Sequence, residues 1–396
     1  MPFVIYVLGL AVFAQGTSEF MLSGLVPDIA AELNASVPAA GALTSAFAVG
    51  MSVGAPLMAV LSLRWPRRRA LLVFLLAFLI VHVVGAVSTS FAVLVTTRVL
   101  GALANAGFLA VGLATATSMV EPNAKGRATS VLLSGITLAC VAGVPAGAVL
   151  GQAFGWRSAF WAVAVVSAPA AYAILRSVPN TVPASGTTAA PGARREARVL
   201  RRPRLLVLLL CGALVNAGTF CTFIYLAPLV TEVSGLTQAW VPAALALFGL
   251  GSFAGVTVGG RLADSRPLRL LIPGGIVLLA GWLLGTVAAG SAMVALPLVF
   301  VQGALSFAVG STLIAQVLYA ATEAPSLGGA FATAALNVGA AVGPALGGLA
   351  IGAGFGFRSP LGVSAVLVAA AFVAAGAAEV VRRIRSTPAD EVLISR

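Results

Sequence analysis

Three ionisable side chains, Glu19, His82 and Arg98, stand inside long apolar runs of this 396-residue chain. An ionisable group at the centre of a membrane helix costs about 2.5–3.5 kcal/mol, so such residues are kept for a partner or a task. Glu19 lies eight residues before Pro27 and Arg98 seven after Phe91. At 1.5 Å per residue both sit about 10–12 Å from the same boundary, a match that allows an ion pair or a water-bridged pair. Gln15, Glu19 and Ser23 recur at i, i+4 and i+8 on one helical face, and Arg98 with Asn105 forms a second polar stripe. Such stripes must face protein or water. The chemistry they suit is reversible proton binding, with Glu19 as the carrier and Arg98 tuning it. Charge and burial push a carboxyl in opposite directions, so a change of partner switches the proton on or off. The structural alternative is a fixed Glu–Arg pair tying two helices together. His82 reads as a hydrogen-bonded interhelical histidine.

The elements that must hold these residues follow from composition. Hydrophobic residues make up 60% of the chain and charged residues 9%, against about 45–50% and 25% in soluble domains. Mean hydropathy is +1.06. Apolar runs long enough to span a bilayer fall near 4–26, 38–62, 70–88, 91–118, 128–151, 158–176, 205–229, 241–260, 268–288, 292–318, 328–353 and 361–381. The expected fold is therefore an all-α membrane protein of twelve transmembrane helices. The first run has no basic residue before it, so it reads as an uncleaved helix.

The net charge of +12 sits in the loops and not on a groove-reading face, which argues against nucleic-acid binding. With both termini cytoplasmic, 20 of the 23 Lys and Arg lie on the inner side, Arg157 and Arg358 lie outside, and Arg98 is in the membrane. That asymmetry sets the orientation. The preponderance of Arg over the single Lys125, with abundant Ala, Gly and Val, points to a high-GC bacterium.

The chain divides into an N-terminal bundle over 1–176, a Pro/Gly/Ser/Arg-rich cytoplasmic linker over 177–204, a C-terminal bundle over 205–385 and a tail over 386–396. The two bundles repeat at an offset of about 201. Gly50 and Gly54 match Gly251 and Gly255, Val-Leu-Gly-Ala-Leu at 99–103 matches Val-Gln-Gly-Ala-Leu at 301–305, and Pro27 matches Pro228. Gly143-Val-Pro145-Ala-Gly147 resembles Gly343-Pro344-Ala-Leu-Gly347. Pseudo-symmetric six-helix bundles rocking about a shared site are the basis of alternating access, so a transporter is preferred to a channel or receptor.

The same offset pairs Gln15 with Asn216, Glu19 with Phe220, Arg98 with Phe300 and Asn105 with Phe307. If these faces line one cavity, a protonatable wall opposes an aromatic wall, which suits a small amphipathic molecule carrying an aromatic ring. The alternative is that the rings face lipid or pack the bundle. Cys140, Cys211 and Cys221 lie in apolar runs and form neither a disulfide framework nor a metal cluster. A P-loop is excluded because Lys125 is followed by Gly126. One histidine with no carboxylate near it in sequence argues against an enzyme.

Spans, repeat and loops together resemble the major facilitator superfamily, within its twelve-span drug:proton antiporters. Gly260-Arg261-Leu262-Ala263-Asp264 with Arg266 and Arg269 is similar to the family's loop motif. The equivalent loop keeps Arg67, Arg68 and Arg69 but has Leu63 where the family has Asp. Arg98 matches the arginine of the span-four motif, whose following Gln and Gly are Gly101 and Ala102 here. Gly143, Pro145 and Gly147 through Gly151 resemble the antiporter motif of span five. Gln15-Gly-Thr-Ser-Glu19-Phe20, Pro27-Asp28-Ile29-Ala30 and Arg64-Trp65-Pro66-Arg67-Arg68-Arg69 resemble the chloramphenicol-resistance exporters of actinomycetes. The resemblance implies a monomer in the bacterial inner membrane that needs no cofactor and exports chloramphenicol or related drugs against the proton gradient. Export of a sugar, nucleoside or other small metabolite is the runner-up.

Overall fold

The computed structural model describes residues 2–62, 65–121, 124–178, 202–262, 267–321 and 327–386. Asp264, nearly all of the 177–204 linker and nearly all of the 386–396 tail lie outside the described residues. Twelve helical segments are long and apolar enough to cross a membrane, and no strand occurs among the described residues.

The first run is not one helix to residue 26. Helix α1, Phe3–Phe20, gives way to a 3₁₀ turn at Met21–Gly24 and then to a short α2, Val26–Glu32. Pro27 occupies the first turn of α2, where its missing N–H costs nothing. Next come α3 (Val37–Ser62), α4 (Arg67–Val87) and α5 (Phe91–Ser118). Span five is α6 (Lys125–Leu138) and α7 (Val144–Phe154) joined by a π turn at Ala139–Gly143, and α8 (Arg157–Ser177) completes the half. Proline at 145 has no N–H for the carbonyl four residues back. The wide turn beside it lets the Val144 N–H reach the Ala139 carbonyl instead.

The second half repeats this plan. Helix α9 (Pro203–Phe223) also breaks beyond its end, into a turn at Leu226–Pro228 and a π turn at Leu229–Val233. It is followed by α10 (Val241–Leu262), α11 (Pro267–Ala288), α12 (Ala292–Ala320), α13 (Leu327–Ala350) and α14 (Ser359–Ser386).

Within the halves α3 packs along α5, α9 along α13 and α10 along α12; across the seam α3 meets α13, and span five meets α10. Small residues make these approaches. A Cβ on Gly255 would overlap the Ala304 carbonyl, and one on Gly249 would overlap the Cys140 carbonyl of the other half. Among the described residues, the halves share a core at one end. Leu22, Leu25, Ala40 and Val144 join Tyr225, Leu226, Leu245 and Ala244 in one apolar cluster. This end, remote from the termini, is called distal below. Toward the termini, a cluster including Ile5, Leu8, Leu71 and Leu132 belongs wholly to the first half, and another of Leu205, Val317, Ala321 and Ala332 belongs to the second.

Candidate functional site

Polar chemistry gathers where α1, α4 and α5 meet. Arg98 is 2% exposed. Its Nη1 donates to Ser18 Oγ at 2.8 Å, and its guanidinium carbon lies 4.4 Å from the centre of the Phe47 ring. Ser18 Oγ lies 2.6 Å from His82 Nε2, and His82 Nδ1 lies 2.7 Å from the Phe78 carbonyl. Phe78 and Phe160 pack on the imidazole. His82 is thus the interhelical histidine that its isolation in sequence suggested.

Glu19 occupies the last turn of α1, next to Ser18 and just before the 3₁₀ break. It is partly exposed and forms no ion pair with Arg98 within 4 Å; the salt bridge found among the described residues joins Arg157 to Glu32. A direct Glu19–Arg98 salt bridge is therefore not made here, although the two charges stand close enough to act on each other; Ser18, one residue earlier on the same helix, takes Nη1 of the guanidinium. Arg98 Nε and Nη2, both amide atoms of Gln15, Thr44 Oγ1 and Ser45 Oγ are buried without a hydrogen-bond partner in the protein. An unpaired buried polar group costs about 1–3 kcal/mol, so groups of this kind suit a bound water or a polar ligand. Ser23, although on the Glu19 stripe, is buried and donates to the Phe20 carbonyl at 2.9 Å. Asn105 is buried two turns along α5 from Arg98.

The opposite half supplies rings. Phe220 stacks on Phe20 across the seam at 5.5 Å and meets Phe223 edge-on; Phe223 stacks on Phe248 at 4.4 Å, and Phe248 meets Phe307 edge-on. Phe220 and Phe307 thus belong to one aromatic chain, linked by Phe223 and Phe248, which the repeat did not single out. Phe223 follows Phe220 by three residues, and that helical spacing was the available signal. Phe300 stands apart. With Met293 and Val301 it lies on the exposed stripe of α12, so its position two turns from Phe307 puts it outside the ring chain. Asn216 is half-buried and donates to the Leu336 carbonyl at 2.7 Å, holding α9 to α13. Beyond the rings, Phe223, Phe248, Trp282, Val299 and Leu361 enclose an apolar cavity inside the second half.

The glycines of the span-five motif occupy packing positions. A Cβ on Gly143 would strike the Thr17 side chain of α1, and one on Gly147 would touch Met21 at 3.4 Å. Pro145 lies in the first turn of α7, and Gly260 faces open space. At the terminal end Arg67 donates to Ser118 Oγ, tying α4 to α5, and Arg68 reaches toward the Leu175 carbonyl at 3.5 Å.

The distal end is sealed by polar contacts as well as by the shared core. Gln238 of the second half lies 3.4 Å from Asp28 Oδ1, and its carbonyl accepts from Gln152 Nε2 at 2.7 Å. Glu32 accepts from Trp156 Nε1 at 2.6 Å and pairs with Arg157. Burial lifts the Asp28 carboxyl above the ordinary aspartate range, and the Gln238 contact opposes this only in part. To the extent that closure supplies this burial, the closed seal binds the Asp28 proton more tightly than a solvated aspartate does. By linkage, closure gains as pH falls into this titration range and loses that gain above it. Distance measurements between labels on the two distal rims should show tightening on acidification in the native protein and a flat profile in Asp28→Asn; widening on acidification would contradict this sign.

Residues 8–334 match the family model described as Major Facilitator Superfamily. The chain is 55% identical over 375 residues to a chloramphenicol resistance protein of Streptomyces lividans, covering 95% of this chain and 96% of that one. It is 30% identical over 353 residues to a chloramphenicol efflux pump of Mycobacterium tuberculosis, covering 87% and 84%. Among solved structures, an inward-facing bacterial homologue of the human lysosomal transporter Spinster superposes with a TM-score of 0.77 at 17% identity, covering 95% of this chain and 96% of that one.

Proposed function

Because this chain belongs to the major facilitator superfamily, we propose that it is a proton-coupled antiporter that exports chloramphenicol or related small amphipathic drugs by alternating access. The observation that carries the reading is the division of labour across the seam: Glu19, partly exposed and without a salt bridge on one side, and a chain of phenylalanines on the other. The 55% identity to a chloramphenicol resistance protein supports the choice of drug. With the termini in the cytoplasm, the distal seal closes the outer face, and the separate terminal-end cores leave the halves free to part on the inner face.

In this cycle the drug enters from the cytoplasm and lays its ring against Phe220 and Phe223. Glu19 releases its proton inward as the drug binds. Opening of the distal seal frees the drug outside, where Glu19 takes up a new proton and the seal re-forms. Each charge moved through 100 mV contributes about 2.3 kcal/mol. Arg98 holds a fixed positive charge beside this exchange.

The test is drug susceptibility of a sensitive host expressing the protein, scanned across chloramphenicol, florfenicol and unrelated cationic drugs. Selective protection against the two phenicols, abolished by an uncoupler, is the expected result. Equal protection against the cations would overturn the narrow substrate reading, and protection that survives uncoupling would overturn proton coupling.

A further inference from the structure

The contacts of Arg98 have a direction that follows from donor and acceptor chemistry alone. The Phe78 carbonyl only accepts, so the His82 nitrogen 2.7 Å from it, Nδ1, carries the proton. A neutral imidazole protonated at Nδ1 has a lone pair at Nε2, which at 2.6 Å accepts the Ser18 hydroxyl proton. Having donated to His82, Ser18 Oγ presents its lone pairs to Arg98, whose Nη1–H donates to it at 2.8 Å. The protons thus point one way, from Arg98 through Ser18 and His82 to Phe78. Ser18 and His82 are 0% and 2% exposed, so water does not scramble this order. Of the Arg98 donors, only Nη1 is held; Nε and Nη2, the edge with which a guanidinium grips a pair of oxygens, have no partner in the protein.

We propose that Ser18 and His82 are positioning residues for Arg98. Their relay pins one nitrogen of the guanidinium and keeps its Nε–Nη2 edge open for an oxygen acceptor that arrives during transport. Without the Ser18 oxygen, the guanidinium has no held donor and turns to whichever acceptor is nearest. This inference rests on the proton-coupled reading for its kinetic consequence but not for its geometry.

His82 is the single histidine of the chain, so the geometry can be read directly. Full-length protein labelled with ¹⁵N-histidine should give one neutral imidazole protonated at Nδ1, the less common form in water, and Ser18→Ala should move the Nε2 resonance. An imidazole protonated at Nε2, or an imidazolium, would overturn the relay. In proteoliposomes Ser18→Ala should slow drug-driven proton movement about tenfold, the worth of one charge-assisted hydrogen bond, with the drug KM nearly unchanged. Ser18→Thr, which keeps the hydroxyl, should restore most of the rate. A Ser18→Ala protein at the native rate, or a Ser18→Thr protein no better than it, would also overturn the proposal. If Ser18→Ala fails to fold, the tautomer of the native protein still decides. The two readings fail separately: Glu19→Gln with intact proton movement would sink the functional reading and leave the tautomer result standing.

Discussion

Replacing Glu19 with Gln is expected to lower drug-driven proton movement at least about 100-fold, a loss near 2.7 kcal/mol of coupling, while the amount of protein in the membrane holds. The two halves of this expectation have separate grounds. Glu19 is the one carboxylate within the six spans of the first half, so Gln leaves that half without a proton carrier. It also makes no ion pair among the described residues, and Gln keeps the size and polarity of the side chain. Drug-dependent proton uptake in vesicles, normalised to inserted protein, measures the outcome. Coupled exchange at the native rate would reduce Glu19 to a structural residue, and loss of inserted protein would mean that its carboxylate supports the fold.

Gly249→Val should pry the halves apart at the seam. The backbone of α10 lies directly against Cys140 and Val141 of the other half there, and those two residues supply the three nearest neighbours of an added Cβ. The strain consequently falls first on the contact between the halves. Overpacking of this kind costs about 1–3 kcal/mol, enough to shift a closed-to-open balance about tenfold or more. The cysteines provide the readout. Cys140, Cys211 and Cys221 are all buried and unpaired, so the native protein should react slowly with maleimide. In Gly249→Val, Cys140 should label about tenfold faster, following the shifted population, while Cys211 and Cys221 stay protected. Labelling at all three sites would indicate general loosening, and labelling at none would mean that the seam absorbs the valine.

The apolar pattern made the twelve spans legible almost to the residue: 91–118 coincides with α5, and 241–260 lies within α10. Hydropathy sees length and solvent preference but not hydrogen-bond register, so it missed the breaks. The π turn beside Pro145 and the 3₁₀ turn after Phe20 are both made of residues as apolar as their surroundings. The candidate site was readable as a set of expensive residues. Depth alone suggested that Glu19 meets Arg98, yet the rotation of α1 gives one nitrogen of the guanidinium to Ser18, a residue off the polar stripe. Serine costs little in a membrane helix and so attracts no notice in a sequence. The aromatic wall was half legible. The repeat named Phe220 and Phe307, which belong to the ring chain, but also Phe300, which lies two turns along α12 from Phe307 and is exposed; an offset matches positions in sequence and does not tell how far along a helix the packed rings extend.

The relay lies wholly in the first half, between α1, α4 and α5, whereas Phe223, Phe248 and Phe307 all come from the second. Under selection by a changing set of antibiotics, this separation bears on evolvability. For the proton-coupled drug exporter proposed above, a lineage can exchange rings in the second half, trading one drug for another, without disturbing the residues proposed to harness the gradient. Spectrum is then free to drift between strains while the energy source is inherited intact, and resistance to a new compound lies few substitutions away from resistance to an old one.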